Sequence, residues 1–222
     1  MTATVRSLLV QGNDKLSQAI LHWDLPAGVT CVGASALCRS RCYALRGRFL
    51  FPQVQERLEW CFETSKRKDF AKLVIEEIRR KGSAFVVRIH CSGEFYSSAY
   101  VQKWTEIIRC SPHTRFFAYT RAWRVPSIEP SLRELAGLDN MRLLYSADRE
   151  TGEPPCLPDG VRVAWMMVDE DESIPDVDLI FRDYPLRRER RPRIGLSLVC
   201  PYDQPRDREF RPNCGTCGFC WR

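Results

Sequence analysis

The chain has 222 residues with a formal net charge of +6, and 44% of its residues are hydrophobic while 28% are charged. This length suits one full-sized domain with a sizeable core, and the composition is typical of globular proteins in water. No stretch approaches the roughly 20 apolar residues that a membrane span needs, and the N-terminus lacks the features of a secretory signal. We therefore expect a cytoplasmic protein with no membrane partner.

The middle of the chain alternates between helix and strand patterns. Apolar periodicity predicts, in chain order, a helix at 56–81, a strand at 84–90, a helix at 98–110, a strand at 115–120, a helix carrying Ile128, Leu132, Leu135 and Leu138, and strands at 141–146, 161–168 and 178–183. Such alternation is typical of right-handed βαβ units around a parallel sheet. A closed barrel typically needs about 250 residues, and the later connections are too short for full helices. The predicted fold class is therefore α/β, an incomplete or irregular parallel (βα) barrel.

The regular pattern ends near residue 184. We predict one partial barrel domain over residues 1–184, followed by a metal-stapled tail over residues 185–222 that packs on the same domain and is rich in Arg, Pro and Cys. Residues 186–193 carry five arginines in eight positions, in a run that begins at Arg187 and ends at Arg193. This run would attract a polyanion such as nucleic acid, or it is a solvated linker.

Cysteine is unusually frequent, with 11 residues in the chain. In a reducing cytoplasm, clustered cysteines bind metal or take part in redox chemistry more often than they form disulfides. Most of them fall into two sets, one near each end of the chain. Outside these sets, Cys61 and Cys110 lie in helical patterns and are predicted to be core residues. Cys91 ends a predicted strand and could line a site, and Cys156 has no assigned role.

The tail set is Cys200, Cys214, Cys217 and Cys220. Its C-x2-C-x2-C run, with one remote Cys beside a Pro, matches a ferredoxin-like way of holding a 4Fe–4S cluster. Three closely spaced thiolates can wrap one cluster, and the intervening glycines leave backbone N–H groups free to bond its sulfurs. Zinc is the alternative metal, although structural zinc sites usually pair two separate C-x2–4-C knuckles.

The N-terminal set is Cys31, Cys38 and Cys42, with the spacing C-x6-C-x3-C. Three thiolates would leave one iron of a 4Fe–4S cluster open to a small molecule. Alternatively, these cysteines join the tail set in a single site, or they are ordinary buried thiols.

Polar side chains follow three consecutive predicted strands, where binding residues concentrate in parallel α/β folds. The first strand leads into His90, Ser92, Gly93 and Glu94. His90 is the candidate for acid–base chemistry, and Glu94 suits the ammonium or hydroxyl group of a ligand.

The next two strands lead into Arg121 and into Ser146 and Asp148. Arg121 would clamp a carboxylate or phosphate, and Ser146 and Asp148 would bond a ribose or amino group. Each residue alone is better explained as an ordinary loop residue or helix cap, but their recurrence on three strand ends predicts a shared pocket for a small-molecule or nucleotide-type substrate. The catalytic candidates are His90, Glu94 and Arg121, and the cofactor-binding candidates are Ser92, Gly93, Glu94, Ser146 and Asp148.

Several motifs follow one another in a distinctive order. They are Cys31, Cys38, Cys42 and Tyr43; Arg88, Ile89, His90, Ser92, Gly93, Glu94 and Phe95 with Tyr100 and Trp104; Tyr119, Thr120, Arg121 and Trp123; Ser146, Ala147 and Asp148; Cys200 and Pro201; and the final C-x2-C-G-x-C-W. This ordered set, over about residues 12–222, resembles the gene-product-88-like family of actinobacterial phages. That resemblance implies no particular reaction.

A more distant similarity is to radical S-adenosylmethionine (SAM) enzymes. Those enzymes carry a three-cysteine loop near the start of a partial α/β barrel, a Gly-Gly-Glu motif after the second strand and often a second, C-terminal cluster. Ser92, Gly93 and Glu94 are similar to that motif, whereas the usual loop spacing is C-x3-C-x2-C. The resemblance implies that the open iron would chelate SAM and that Glu94 would hold its amino group.

These observations predict an iron–sulfur protein with one or two 4Fe–4S clusters, leaning towards a radical-SAM-like enzyme. The N-terminal cluster would face the substrate, and the tail cluster would be structural or relay electrons. The alternative is a zinc- or cluster-stapled nucleic-acid-binding protein without catalytic activity, in which the arginine run neutralises phosphates. A third hypothesis is a catalytically dead relative that keeps the cluster for stability.

Overall fold

The computed structural model describes residues 6–82, 85–183, 199–203 and 212–222. The strands are β1 (Val10–Gln11), β2 (Ile20–Trp23), β3 (Val86–Ile89), β4 (Arg115–Thr120), β5 (Met141–Ala147), β6 (Arg162–Met167) and β7 (Leu179–Arg182). The helices are α1 (Ala36–Arg41), α2 (Pro52–Lys66), α3 (Phe70–Arg80), α4 (Ser98–Arg109), α5 (Glu129–Ala136) and α6 (Cys214–Cys217). Single-turn 3-10 helices occur at Tyr43–Leu45, Gly47–Leu50, Ala122–Arg124 and Pro201–Asp203.

The strands form one seven-stranded sheet in the order β1-β2-β3-β4-β5-β6-β7. β1 pairs antiparallel with β2, and every later pair is parallel. The predicted α/β fold with a parallel sheet is thus confirmed. A sequential strand order is also the order of a (βα) barrel, and the incomplete barrel itself stays a prediction.

The connections on the two sides of β5 differ. α1, α2 and α3 lie between β2 and β3, α4 joins β3 to β4, and α5 joins β4 to β5. The connections from β5 to β6 and from β6 to β7 lie within the described residues and contain no helix, in agreement with their short length. None of the helices in the described ranges is long and apolar enough to cross a membrane.

The single helix predicted over residues 56–81 is wrong, because the structure has two helices there. α2 ends at Lys66, and Arg67 adopts an extended backbone with φ −59° and ψ 147°. The Arg67 guanidinium then binds both carboxylate oxygens of Asp69, at 2.8 and 2.6 Å. This local ion pair stabilises a turn in a polar stretch that has no apolar face to bury. β1, β2 and α1 were not predicted, since each is too short to show a period.

The two faces of the sheet are covered differently. One face packs against α2–α5 in a large core that includes Trp23, Phe70, Tyr100 and Trp104, all at most 1% exposed. The opposite face, which we call the inner face, contacts the C-terminal segment. Its apolar residues and the cysteines that pack with them are Leu16, Ile20, Phe117, Leu144, Ala164, Leu179, Cys200, Cys214 and Cys220.

Strand alternation decides which polar residues reach the inner face. In β2, Leu21 and Trp23 belong to the helix-side core and Ile20 to the inner face, so His22 lies on the inner face as well. His22 is in register with Arg88 of β3, and Arg88 is in register with Phe117 of β4. The inner face therefore carries charged side chains beside the C-terminal cysteines.

Candidate metal and cofactor site

The N-terminal cysteine loop leaves the carboxyl end of β2 and is tied to the carboxyl end of β5. The Ser35 hydroxyl accepts a hydrogen bond from the backbone N–H of Cys38 at 2.9 Å and donates one to Asp148 at 2.6 Å. The backbone N–H of Leu37 donates to the Glu150 carboxylate at 2.8 Å. α1, which bears Cys38, is therefore held against the strand end that carries Asp148.

The three thiols of this loop interact electrostatically. Burial raises the pKa of Cys31 to about 11, with a contribution from the Glu94 carboxylate. The thiols of Cys38 and Cys42 act on Cys31 in the same direction, as like charges. Burial also raises the pKa of Cys38, while the Arg121 guanidinium opposes the shift. The structure thus brings the three cysteines together beside Glu94 and Arg121.

Glu94 is buried behind this loop and accepts three hydrogen bonds. One carboxylate oxygen accepts from the Phe95 backbone N–H and the Thr120 hydroxyl, both at 2.8 Å. The other oxygen accepts from the Arg121 backbone N–H at 2.6 Å. Burial outweighs these donors and raises the pKa of Glu94 to about 7. The carboxyl group therefore titrates near neutral pH, which suits proton transfer.

Arg121 and Asp148 form a buried ion pair of 2.7 Å, with side chains 8% and 0% exposed. Burial would raise the pKa of Asp148, but the Ser35 hydroxyl and the Arg121 charge lower it. The second oxygen of Asp148 accepts from the backbone N–H groups of Glu150 and Thr151, at 2.9 and 3.1 Å. Glu94, Arg121 and Asp148, which come from three different strand ends, therefore form one connected network.

Ser92 and Ser146 have structural contacts of their own. The Ser92 hydroxyl donates to the Leu25 carbonyl at 2.9 Å, and the Ser146 carbonyl accepts from the Trp123 indole at 2.9 Å. The Ser146 side chain shares the inner face with Leu144 by strand alternation. A cofactor contact from either serine stays a prediction.

His90 lies in the helix-side core rather than among the cysteines. Its ring packs on Phe95 and Tyr100, with ring centres 4.7 and 5.7 Å apart, and its Nε2 is 3.0 Å from the Tyr100 hydroxyl. Burial lowers the pKa of His90 to about 3, so the ring is neutral at physiological pH. The predicted acid–base role of His90 stays untested, and its position favours a structural one.

Three of the four tail cysteines, Cys200, Cys214 and Cys220, pack on the inner face. Val199 pairs with Ile180 of β7. The backbone N–H of Cys200, the next residue, donates to the Ile180 carbonyl at 2.9 Å. The Cys214 backbone N–H donates to the Lys15 carbonyl at 2.7 Å. The Tyr119 hydroxyl of β4 donates to the Cys220 sulfur at 2.8 Å.

The four tail thiols also interact electrostatically. Burial raises the pKa of Cys220, and the charges of Cys214 and Cys217 add to this effect. Burial raises the pKa of Cys200 to about 11, and Cys220 contributes. None of the 11 cysteines, all of which lie in described ranges, forms a disulfide. All four tail thiols are thus available as ligands in one region.

The spacing of the thiols differs from that of a mononuclear ion site. Among the described residues, the group whose ligand atoms all lie within 4.8 Å of one another is His22, Asp24 and Cys91. Neither cysteine set meets that spacing. A 4Fe–4S cubane carries its ligands on separate irons, so it holds thiolates farther apart than a single zinc ion does.

Sequence reasoning missed the His22, Asp24 and Cys91 group. The Asp24 carboxylate accepts from the Cys91 backbone N–H at 2.6 Å and lies 2.6 Å from His22 Nδ1. Burial alone would lower the pKa of His22, but its contacts with Asp24 and Cys91 raise it to about 10. The sequence does show the two-residue spacing of His22 and Asp24. It does not show that they lie at a strand end, because β2 is too short to be recognised from its pattern.

Arg88 interacts electrostatically with the tail cysteine Cys214 and with Cys91, which lies outside both cysteine sets. Burial would lower the pKa of its guanidinium, but the thiols of Cys91 and Cys214 and the Tyr43 hydroxyl raise it. The guanidinium lies over the Tyr119 ring, 5.2 Å from its centre. Tyr43, which directly follows Cys42, donates to the Cys91 carbonyl.

The remaining cysteine predictions have mixed outcomes. Cys61 is buried as predicted, but the core assignment of Cys110 is wrong because its side chain is exposed at the end of α4. Cys156 is exposed as well. The arginine run from Arg187 to Arg193 lies outside the described residues, so its predicted contact with nucleic acid stays a prediction.

Comparison with known proteins identifies the family. The Gene product 88 family matches residues 7–222. The Gene 88 protein of Mycobacterium phage L5 is 30% identical over 164 residues, covering 69% of this chain and 63% of its own length. The Gene 88 protein of Mycobacterium phage D29 is 26% identical over 207 residues, covering 87% of this chain and 78% of its own length. No solved structure matches. The phage-family resemblance is thus confirmed, and the chain belongs to the Gene product 88 family.

Proposed function

We propose that this protein binds iron–sulfur clusters at two sites and acts as a radical-SAM-like enzyme on a small-molecule or nucleotide-type substrate. One 4Fe–4S cluster would be held by Cys200, Cys214, Cys217 and Cys220, and the other by Cys31, Cys38 and Cys42. A bound cluster supplies one-electron chemistry. The observation that carries the proposal is the convergence of Cys200, Cys214 and Cys220 on the inner face, with Cys217 close enough to interact with Cys214 and Cys220.

The tail site has the features of a fully ligated cluster. Its cysteines are free, share one region and belong to two segments that are distant in sequence. The Tyr119 hydroxyl donates to Cys220, and hydrogen bonds to the sulfurs tune the potential of iron–sulfur clusters. Gly218 takes a left-handed conformation with φ 73°, which turns the chain between Cys217 and Cys220. With four thiolates available, this site suits a structural or electron-relaying role.

The N-terminal site supports a substrate-facing role. It offers three thiols, which would leave one iron free, and the backbone N–H of Gly28 donates to the Cys31 sulfur at 3.3 Å. Glu94, Arg121 and Asp148 lie beside these thiols. A carboxylate and a guanidinium at an open iron suit a ligand with amino and carboxylate groups. The SAM part of the proposal rests on this arrangement and on the motif resemblance alone.

Anaerobic purification followed by iron, sulfide and zinc analysis tests the proposal. We expect about eight irons per chain, four for each 4Fe–4S cluster. We also expect SAM to change the EPR spectrum of the reduced protein. A colourless protein containing only zinc would contradict the proposal, and an unchanged spectrum would contradict its SAM part.

Two cysteine variants assign the iron. Cys38→Ala is expected to remove the N-terminal iron and the SAM effect, and Cys214→Ala is expected to remove the tail iron. The matched control is Cys110→Ala, because Cys110 is an exposed cysteine outside both sets. If Cys38→Ala and Cys214→Ala each removed all of the iron from folded protein, the two sets would form a single site and the two-cluster proposal would be wrong.

A further inference from the structure

His22, Asp24 and Cys91 form a compact cluster that the proposed iron–sulfur sites do not use. One ligand atom from each residue lies within 4.8 Å of those of the other two. The residues come from the adjacent strand ends of β2 and β3, where catalytic sites of parallel α/β folds are found. Their side chains offer one nitrogen, one oxygen and one sulfur donor.

We propose that His22, Asp24 and Cys91 bind one divalent transition-metal ion, with zinc as the best match. Zinc accepts imidazole nitrogen, carboxylate oxygen and thiolate sulfur at about 2.0–2.3 Å. Magnesium and calcium prefer all-oxygen sites, so the thiol and imidazole argue against them. Three protein ligands leave the fourth tetrahedral position open for water or substrate, as in catalytic rather than structural zinc sites.

The site is held in place by backbone contacts. One carboxylate oxygen of Asp24 accepts from the backbone N–H groups of Cys91 and Ser92, at 2.6 and 3.2 Å. The other oxygen, which lies 2.6 Å from His22 Nδ1, points at the ring. Hydrogen bonds of this kind orient metal-ligating side chains, and losing them typically weakens metal binding about 10–100-fold.

The His22, Asp24 and Cys91 cluster is partly open to solvent and lies beside a charged side chain, as expected for a catalytic metal ion. The side chains of His22 and Asp24 are 17% and 13% exposed, so solvent reaches the cluster. The charge of the Arg88 guanidinium interacts with both Cys91 and Cys214. The metal would therefore lie near Arg88, close to the tail cysteine Cys214.

Binding requires the ligands to lose protons. The short contact between His22 and Asp24 is a hydrogen bond in the metal-free protein. A metal ion would replace the proton shared by His22 and Asp24, and Cys91 would bind as thiolate, so both protons would be released to solvent. Affinity is expected to fall as the pH is lowered, with no redox step involved.

The test uses the anaerobically purified, cluster-loaded protein after dialysis against zinc. Zinc and iron are counted by elemental analysis, and the zinc environment is read by X-ray absorption at the zinc edge. We expect about one zinc per chain beyond any in the cysteine sets, with one sulfur near 2.3 Å and nitrogen or oxygen ligands near 2.0–2.1 Å.

The variants His22→Gln and Asp24→Asn are each expected to remove this one zinc and to leave the iron content unchanged. Both replacements keep a polar side chain of similar size, and circular dichroism checks that the variants are folded. The control is His113→Gln, because His113 is an exposed histidine outside the cluster. Zinc retained in either folded variant would overturn the proposal. So would a zinc environment of three or four sulfurs in protein whose iron content shows that both cysteine sets are filled with clusters.

These outcomes are distinct from failure of the proposed function. If the cysteine sets held zinc instead of iron–sulfur clusters, the iron analysis would show it. The two variants would still remove one zinc per chain from a mixed nitrogen, oxygen and sulfur site. Loss of iron together with zinc in a folded variant would show that the three residues belong to a cluster, and would also overturn the proposal.

Discussion

The Arg121 guanidinium and the Asp148 carboxylate form an ion pair of 2.7 Å that joins the carboxyl ends of β4 and β5. The same carboxylate oxygen accepts from Ser35, which caps the helix bearing Cys38. The pair thus connects the sheet to the N-terminal cysteine loop.

Asp148→Asn is expected to lower the free energy of unfolding by about 3–5 kcal/mol, because it leaves the buried Arg121 charge without its partner. Urea unfolding under reducing, anaerobic conditions measures the change. The matched control is Glu134→Gln, which breaks the 2.9 Å ion pair between Arg109 and Glu134. Their side chains are 56% and 48% exposed, respectively. That change is expected to cost at most about 1 kcal/mol. Equal losses in the two variants would contradict the structural role given to the Arg121–Asp148 pair.

Gly93→Ala is expected to be strongly destabilising. Gly93 has φ +81°, and an added Cβ would lie 2.5 Å from the Leu25 Cβ and 2.7 Å from the Leu25 carbonyl oxygen. Gly152→Ala is the control, because Gly152 has φ +65° but nothing within 4 Å of an added Cβ. The control should cost about 1–2 kcal/mol from backbone strain alone. Gly93→Ala should cost more, because the clash would also displace Glu94. Thermal melting compares the stability of the two variants, and similar melting temperatures would contradict the predicted clash.

Stability of the metal-free protein is expected to depend on Glu94 between about pH 4.5 and 7. Burial raises the pKa of Glu94 from 4.5 to about 7 in the folded state. The folded state therefore binds this proton more tightly than the unfolded chain. Protonated Glu94 therefore contributes roughly 3 kcal/mol to the free energy of unfolding. This contribution is fully present below about pH 4.5 and is lost as the pH rises through 7.

Urea unfolding of wild type and Glu94→Gln across this pH range measures the effect. Titrations common to both proteins cancel in the difference between them. The wild type should lose stability relative to the variant as the pH rises. Parallel stability curves would show that Glu94 titrates near its ordinary pKa in the folded protein.

Much of the strand-end geometry could be predicted from the sequence. The strands of Val86–Ile89, Arg115–Thr120 and Met141–Ala147 are apolar runs followed by polar residues. The carboxyl ends of neighbouring parallel strands meet at one edge of a sheet, so Glu94, Arg121 and Asp148 were expected to lie close together. Their convergence needs only strand order, which the alternation of helix and strand provides.

Other relationships depend on contacts that local sequence does not encode. β2 has only four residues, so its alternation could not place His22 on the inner face beside Cys91. The exposure of Cys110 depends on where α4 ends, and helix ends are the least predictable part of a periodic pattern. The contact of Tyr119 with Cys220 joins residues 101 positions apart and requires the tail to fold back onto the sheet.

Tyr119→Phe is expected to lower the reduction potential of the proposed tail cluster. The Tyr119 hydroxyl donates to the Cys220 sulfur at 2.8 Å, and such a bond stabilises the more negatively charged reduced cluster. Losing it should also cost about 1 kcal/mol of stability. The matched control is Tyr96→Phe, because the Tyr96 hydroxyl makes a 2.8 Å hydrogen bond with Ser65 of α2, away from the cysteines. That variant should lose similar stability with no change in potential. Redox titration followed by EPR distinguishes the two, and an unchanged potential in cluster-loaded Tyr119→Phe would mean that Cys220 does not ligate a redox-active cluster.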